Sequence, residues 1–171
     1  MSKRYRKNPR LKNYNYSLGL FSVTICTYGR ECLFGDIING DMVLNEIGEI
    51  AEYEWKKTEI IRNNVLVDVF QIMPNHIHGI IGLSKPIGAY CNTPLWNSNV
   101  KLKSPSNNLG AVIRGFKSTS AKQINVYRGT FYHKVWQRNY YEHIIRNERD
   151  LVRVRNYIEN NPGKWENDKF F

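Results

Sequence analysis

One stretch limits what this chain can become: Phe70 to Leu83, FQIMPNHIHGIIGL. Apolar, largely β-branched residues lead into it (Val65, Val67, Val69, Ile72) and follow its centre (Ile80, Ile81, Leu83). Met73-Pro74-Asn75 interrupts the run as a tight turn, so the whole predicts a β-hairpin. On a strand, alternate side chains share a face. His76, His78 and Ile80 are expected on one face, and Ile77, Gly79 and Ile81 on the other. Two imidazoles converging from one strand supply half of a metal site. The plainer alternative is two half-buried histidines on a sheet face.

The rest of the chain bears on that choice. Its 171 residues suffice for one domain with a real core. Twenty-five Lys and Arg stand against 15 Asp and Glu, a net +10, alongside 11 Tyr, 7 Phe and 4 Trp. Basic charge attracts phosphate backbones, and aromatic faces stack on unpaired bases. Cys26, Cys32 and Cys91 are odd in number and form no CxxC pair. They speak against a disulfide framework or a cysteine zinc site and fit a reducing cytosol. No apolar run approaches the roughly 20 residues of a membrane span, and the basic start MSKRYRKNPR lacks the apolar segment of a secretory signal.

In chain order, residues 1–17 read as a flexible basic arm in which Lys3, Arg4, Arg6 and Lys7 are candidate phosphate contacts. The domain proper is expected over 18–171. Leu18–Thr27 alternates as a first strand, and a loop through Gly29, Gly35 and Gly40 follows. Asp41–Lys57 predicts a helix whose face carries Val43, Ile47, Ile50, Ala51 and Glu54. The hairpin supplies strands two and three. Residues 84–108, rich in Pro, Ser and Asn, form an irregular insertion. Leu109–Val126 predicts a second helix with Leu109, Val112, Ile113, Phe116 and Ile124 inward. The aromatic segment Phe131–Ile145 contains a fourth strand. Asn147 caps a last helix that ends near Asn160, because Pro162 disfavours helical geometry at Asn161.

The order β-α-β-β-α-β plus a further helix predicts an α+β, ferredoxin-like fold. A four-stranded antiparallel sheet is backed by helices on one face, and the histidines lie on a central strand of the free face. On a wheel of about 100° per residue, the last helix puts Leu151, Val154 and Ile158 in a core stripe. Asp150, Tyr157 and Asn161 share the neighbouring stripe. A tyrosine there is ordinarily amphipathic packing.

These residues together carry a resemblance. His-x-His on a central strand, then one tyrosine in a late helix with a polar amide four positions on, resembles the HUH endonucleases in their single-tyrosine transposase branch. It is most similar to the REP-associated tyrosine transposases, relatives of the single-strand transposases of small bacterial insertion sequences. The carrying stretches are Met73–Ile81, Ile113–Ser118, Trp136–Asn147 and Tyr157–Pro162, and the resemblance runs from about Leu18 to Lys164. It implies that His76 and His78 are metal ligands and that Asn161 takes the third position, with a water or Asp150 as substitute. It implies that Tyr157 is the nucleophile that forms a 5′-phosphotyrosine link, and that the metal is Mg²⁺ or Mn²⁺. The partner would be single-stranded DNA with a hairpin or palindromic repeat, and the protein a cytoplasmic, nucleoid-associated monomer or homodimer.

Arg114, Lys117 and Arg138 are further candidate DNA contacts, and His143 with Asp150 candidates for holding the site from behind. His133 is given no role, and Tyr140 and Tyr141 are rivals to Tyr157 that the family pattern does not favour. The competing function is a non-catalytic binder of single-stranded nucleic acid on the same sheet, which calls for stacking aromatics on the sheet face.

Overall fold

Alternation along β1 (Gly19–Cys26) sets the centre of the fold: Phe21, Val23 and Ile25 are buried in the main core, and Thr24 and Cys26 turn to the other face. The computed structural model describes residues 14–84 and 108–168, with only the backbone of Asn167. The basic residues Lys3, Arg4, Arg6 and Lys7, together with Cys91 and nearly all of the expected insertion, lie outside the described residues. After β1 come β2 (Gly35–Ile38), β3 (Asp41–Leu44), α1 (Glu46–Ile60), β4 (Val65–Met73) and β5 (His76–Leu83). They are followed by α2 (Leu109–Tyr127), β6 (Tyr141–Ile145) and α3 (Glu148–Glu159).

β4, β5, β1 and β6 lie side by side in that order, every neighbouring pair antiparallel. The small β2–β3 pair stands apart. Without it the connectivity is the ferredoxin-like one expected, with β5 and β1 central. Trp55 of α1 and Leu109, Val112, Ile113, Phe116 and Ile124 of α2 join Ile77 and Ile81 in one core. Gly79 is small because Trp55 occupies the place of its side chain: an added Cβ would meet Trp55 Cζ2 at 2.5 Å.

The opposite face is not bare, as the sequence suggested. Leu151, Val154 and Ile158 of α3 pack on Ile80 and Ile145 there. Each such buried aliphatic contributes about 1.5–3 kcal/mol, so an open sheet face and an amphipathic helix complete each other. Arg155 fixes the helix further: its Nε and Nη2 donate to Asp68 Oδ2 at 2.9 and 2.8 Å. Asp68 sits where the β4–β5 register shifts, between Val67 and Phe70.

Three further expectations change. Asp41–Leu44 is a strand, not the start of a helix, and the expected glycine loop contains β2. Asn39 and Gly40, at φ +55° and +87°, make the turn of this hairpin. Such left-handed turns match strand twist and favour Asn-Gly. α1 starts only after Asn45, whose side chain accepts from Gly48 N. The fourth strand expected within Phe131–Ile145 is present, at Tyr141–Ile145, and earlier in that segment only Trp136 forms a bridge, to Thr27. Asn161 keeps a right-handed helical conformation (φ −68°, ψ −39°) despite Pro162, and a 3-10 turn over Pro162–Asn167 follows.

Candidate metal and tyrosine site

Strand register builds the site. Cys26 faces His76, and Thr24 faces His78, across β1 and β5. Both histidines are buried, their rings 4.5 Å apart between centroids and nearly perpendicular. Each is oriented from behind. Asn75 Oδ1 lies 2.7 Å from His76 Nδ1. An amide oxygen only accepts, so Nδ1 carries the proton and the lone pair falls on Nε2. His78 Nδ1 lies 2.8 Å from Thr24 Oγ1, and its Nε2 faces the other way.

His78 Nε2 is where other elements converge. The hydroxyl of Tyr157 is 3.5 Å away and its ring stands edge-on at 5.2 Å. Asp168 Oδ2 is 3.9 Å away, its side chain only 1% exposed. Asp168 comes from just past the 3-10 turn, where its N–H donates to Trp165 O at 2.9 Å. The same turn brings the Trp165 ring to 6.0 Å from His76. One donor atom each from His76, His78 and Asp168 lies within 4.8 Å of the others, and this group could hold a divalent metal ion. Asn161, also buried, turns its amide to the Tyr157 hydroxyl. Burial raises the pKa of Tyr157, and the charge of Asp168 and a hydrogen bond to it raise it further; Asn161 acts the other way. The phenol therefore keeps its proton beside an acceptor. It is 47% exposed and so open to solvent.

The other candidates fall elsewhere. Asp150 is held at the start of α3 by Arg153 and by His143, whose Nε2 is 2.8 Å away. Arg153 first and His143 second hold its carboxyl down at about 2. Seven residues of helix, about 10 Å, separate it from Tyr157. Lys117 donates to Gln137 O and Asn139 O at 2.8 and 2.9 Å, its ammonium spent on pinning that segment. Arg114 and Arg138 are exposed. Asp168, Thr24 and Trp165 had no place in the sequence reading. Thr24 was findable as the cross-strand partner of His78 once register was known. Asp168 follows an irregular turn that no periodicity announces.

No protein-family profile matches the chain. An uncharacterized protein of Haemophilus influenzae is 41% identical over 170 residues, covering 98% of this chain and 93% of the relative. The structure of a REP-associated tyrosine transposase bound to a REP hairpin is similar at a TM-score of 0.59 and 18% identity, covering 92% of this chain and 74% of that one. A crystal structure of a candidate transposase from Deinococcus radiodurans R1 gives a TM-score of 0.48 at 14% identity, with 90% and 97% of the two chains covered. No helix among the described residues is long and apolar enough to cross a membrane. The chain belongs to one family with the Haemophilus influenzae protein and has the fold of a REP-associated tyrosine transposase.

Proposed function

We propose that this protein is a metal-dependent transposase that nicks and rejoins single-stranded DNA next to a hairpin. The observation that carries the reading is the Tyr157 hydroxyl 3.5 Å from His78 Nε2, beside His76 and Asp168. A buried pair of oriented imidazoles with a carboxylate fits a divalent cation, Mg²⁺ or Mn²⁺ on this reading. Asp168 supplies a third ligand, and Asn161 is either a further one or the group that positions the phenol. Such a cation, when bound, neutralises the phosphodiester and orients it for in-line attack.

The chain's own residues do the rest. Tyr157 Oη attacks phosphorus, the bond to the 3′ oxygen breaks, and a 5′-phosphotyrosine ester and a 3′-hydroxyl result. The phenol proton leaves by way of the Asp168 carboxylate and ends on the departing oxygen. One phosphoester replaces another, so the reverse step rejoins strands without ATP. Residues 18–171 act as one unit in this, and Arg114 and Arg138 are available to phosphates.

A non-catalytic binder on an open sheet is not favoured, because both sheet faces carry helices. The test uses labelled single-stranded DNA bearing a hairpin from repeats beside the gene, mixed with the protein and Mn²⁺. Denaturing electrophoresis is expected to show a covalent adduct that is lost with EDTA and with Tyr157→Phe. An undiminished adduct in the Phe variant would move the nucleophile elsewhere. His76→Ala is expected to abolish the adduct while DNA binding persists.

A further inference from the structure

α2 and the segment after it enclose a groove of about 940 Å³ outside the histidine site. Lys117, Lys122, Lys134 and Arg138 contribute to its walls, and none of the described residues lining it is acidic. At its rim Phe131 and Tyr132 are 91% and 97% exposed. Two neighbouring rings left in water mark an interaction surface.

The loop that carries them is held at both ends. Thr130 N donates to Asn125 O at 2.9 Å, and Asn125 Nδ2 donates to His133 O at 3.0 Å. Beyond the rings, Tyr28 N donates to Val135 O and Gln137 N to Cys26 O, at 2.8 and 2.9 Å. Tyr132 sits at φ +60°, a backbone conformation that side chains other than glycine rarely adopt. The pins thus fix the backbone of the loop, from which both rings project into solvent. Gln137 bonds to Cys26 and Cys26 pairs with His76. Two strand spacings, about 10 Å, therefore separate the backbone of Gln137 at the inner rim from that of His76, whose imidazole lies on the α3 side of the sheet, so a strand leaving the groove rounds the Gln137 edge to reach it.

We propose that this groove holds unpaired nucleotides of a DNA strand, with bases stacked on Phe131 and Tyr132 and phosphates on Lys122, Lys134 and Arg138. Bases offer their faces to protein rings only when unstacked from a duplex, and stacking of this kind tolerates any sequence. The inference rests on the nicking-joining reading: the strand held here is the one whose phosphodiester reaches His76 and His78.

The test is fluorescence anisotropy in EDTA, so that no chemistry intervenes. The probe is a labelled oligothymidine longer than the roughly 4–16 nucleotides such grooves occupy. Phe131→Ala with Tyr132→Ala is expected to weaken binding about tenfold or more, with circular dichroism unchanged because both rings are exposed. Lys134→Ala is expected to flatten the log–log salt dependence by about 0.7. A blunt duplex of equal length should bind the double variant and the wild type alike. Unchanged affinity of the double variant for the oligothymidine would overturn the inference, as would an equal loss on the duplex or a wild type that does not bind the strand. Retained DNA affinity with sedimentation as a smaller species would also overturn it and give the rings to a second copy. A groove that behaves as stated in a protein that forms no adduct leaves this inference standing and removes the nuclease reading. An adduct with undiminished binding by the ring variant does the reverse.

Discussion

Removing the charge of Asp168 tests whether the buried group holds an ion. Two ligands on one ion with bonds near 2.1 Å lie at most about 4.2 Å apart. His78 and Asp168 already satisfy this at 3.9 Å, and the widest separation in the group, within 4.8 Å, needs a shift of only a few tenths of an ångström. A ligand at a hundred times its dissociation constant stabilises the folded state by about 2.7 kcal/mol. For a chain of this size that raises the melting temperature by about 5–10 °C. Mn²⁺ titrations followed by thermal unfolding are expected to give that increment in the wild type. Asp168→Asn exchanges an anionic ligand for a neutral one and should weaken Mn²⁺ at least tenfold, taking away about 1.4 kcal/mol, or 3–5 °C, at the same concentration. Without metal the same variant should melt no lower than the wild type, because a deeply buried carboxylate becomes a neutral amide. Asn161→Ala under the same conditions measures whether that amide is also a ligand. An increment that survives both Asp168→Asn and the double change His76→Ala, His78→Ala would refute the assignment of the ion to this group.

Three smaller perturbations probe the scaffold. Gly48→Ala would set a Cβ 2.2 Å from Phe34 O, a backbone atom that cannot move aside; urea unfolding should show a loss of about 3 kcal/mol, and a loss below about 0.5 would contradict the packing. Burial pulls the Lys117 ammonium down to about 8 from 10.5, with Cys26 acting the other way, so the folded chain releases this proton before the unfolded chain does. Its part of the stability is therefore unfavourable below pH 8 and recovers by up to about 3 kcal/mol as pH rises to 10.5, a slope that Lys117→Met should remove from the difference curve. Tyr132→Gly relieves the positive φ but adds freedom to the unfolded chain, so stability should stay level or rise by up to about 1 kcal/mol while affinity for single strands falls.

What was legible in the sequence was whatever local chemistry dictates. β-branched runs around a Pro-Asn turn announced β4 and β5, and Asn147 with the Leu151–Val154–Ile158 stripe announced α3 almost to its ends. The Asn39-Gly40 turn was equally visible, but the glycines near it suggested a loop, and Val43 was assigned to a helix that Asn45 in fact begins. The meeting of Tyr157 with the histidines was implied by the family resemblance and not by the element order, which left that sheet face open; in the structure the amphipathic helix and the half-covered sheet have each other as partners. What stayed hidden depends on long-range placement. Asp168 reaches the histidines only because Asn161 remains helical ahead of Pro162 and the chain doubles back. Lys117 looks like any exposed lysine until two carbonyls from a later segment close on it.

The cover that α3 lays over its own sheet, clamped by Arg155 to Asp68, has a consequence for how copies cooperate. Within the single chain, phenol and imidazoles already meet, and on the proposed reading each copy works in cis. Mixing a Tyr157→Phe preparation with a His76→Ala one should therefore restore no cleavage, whereas an enzyme that trades its last helix between protomers would recover up to a quarter to a half of its sites. Dilution should likewise leave the rate per molecule constant. Strand breakage would then be a solo act, and any pairing of molecules would serve the later exchange of ends.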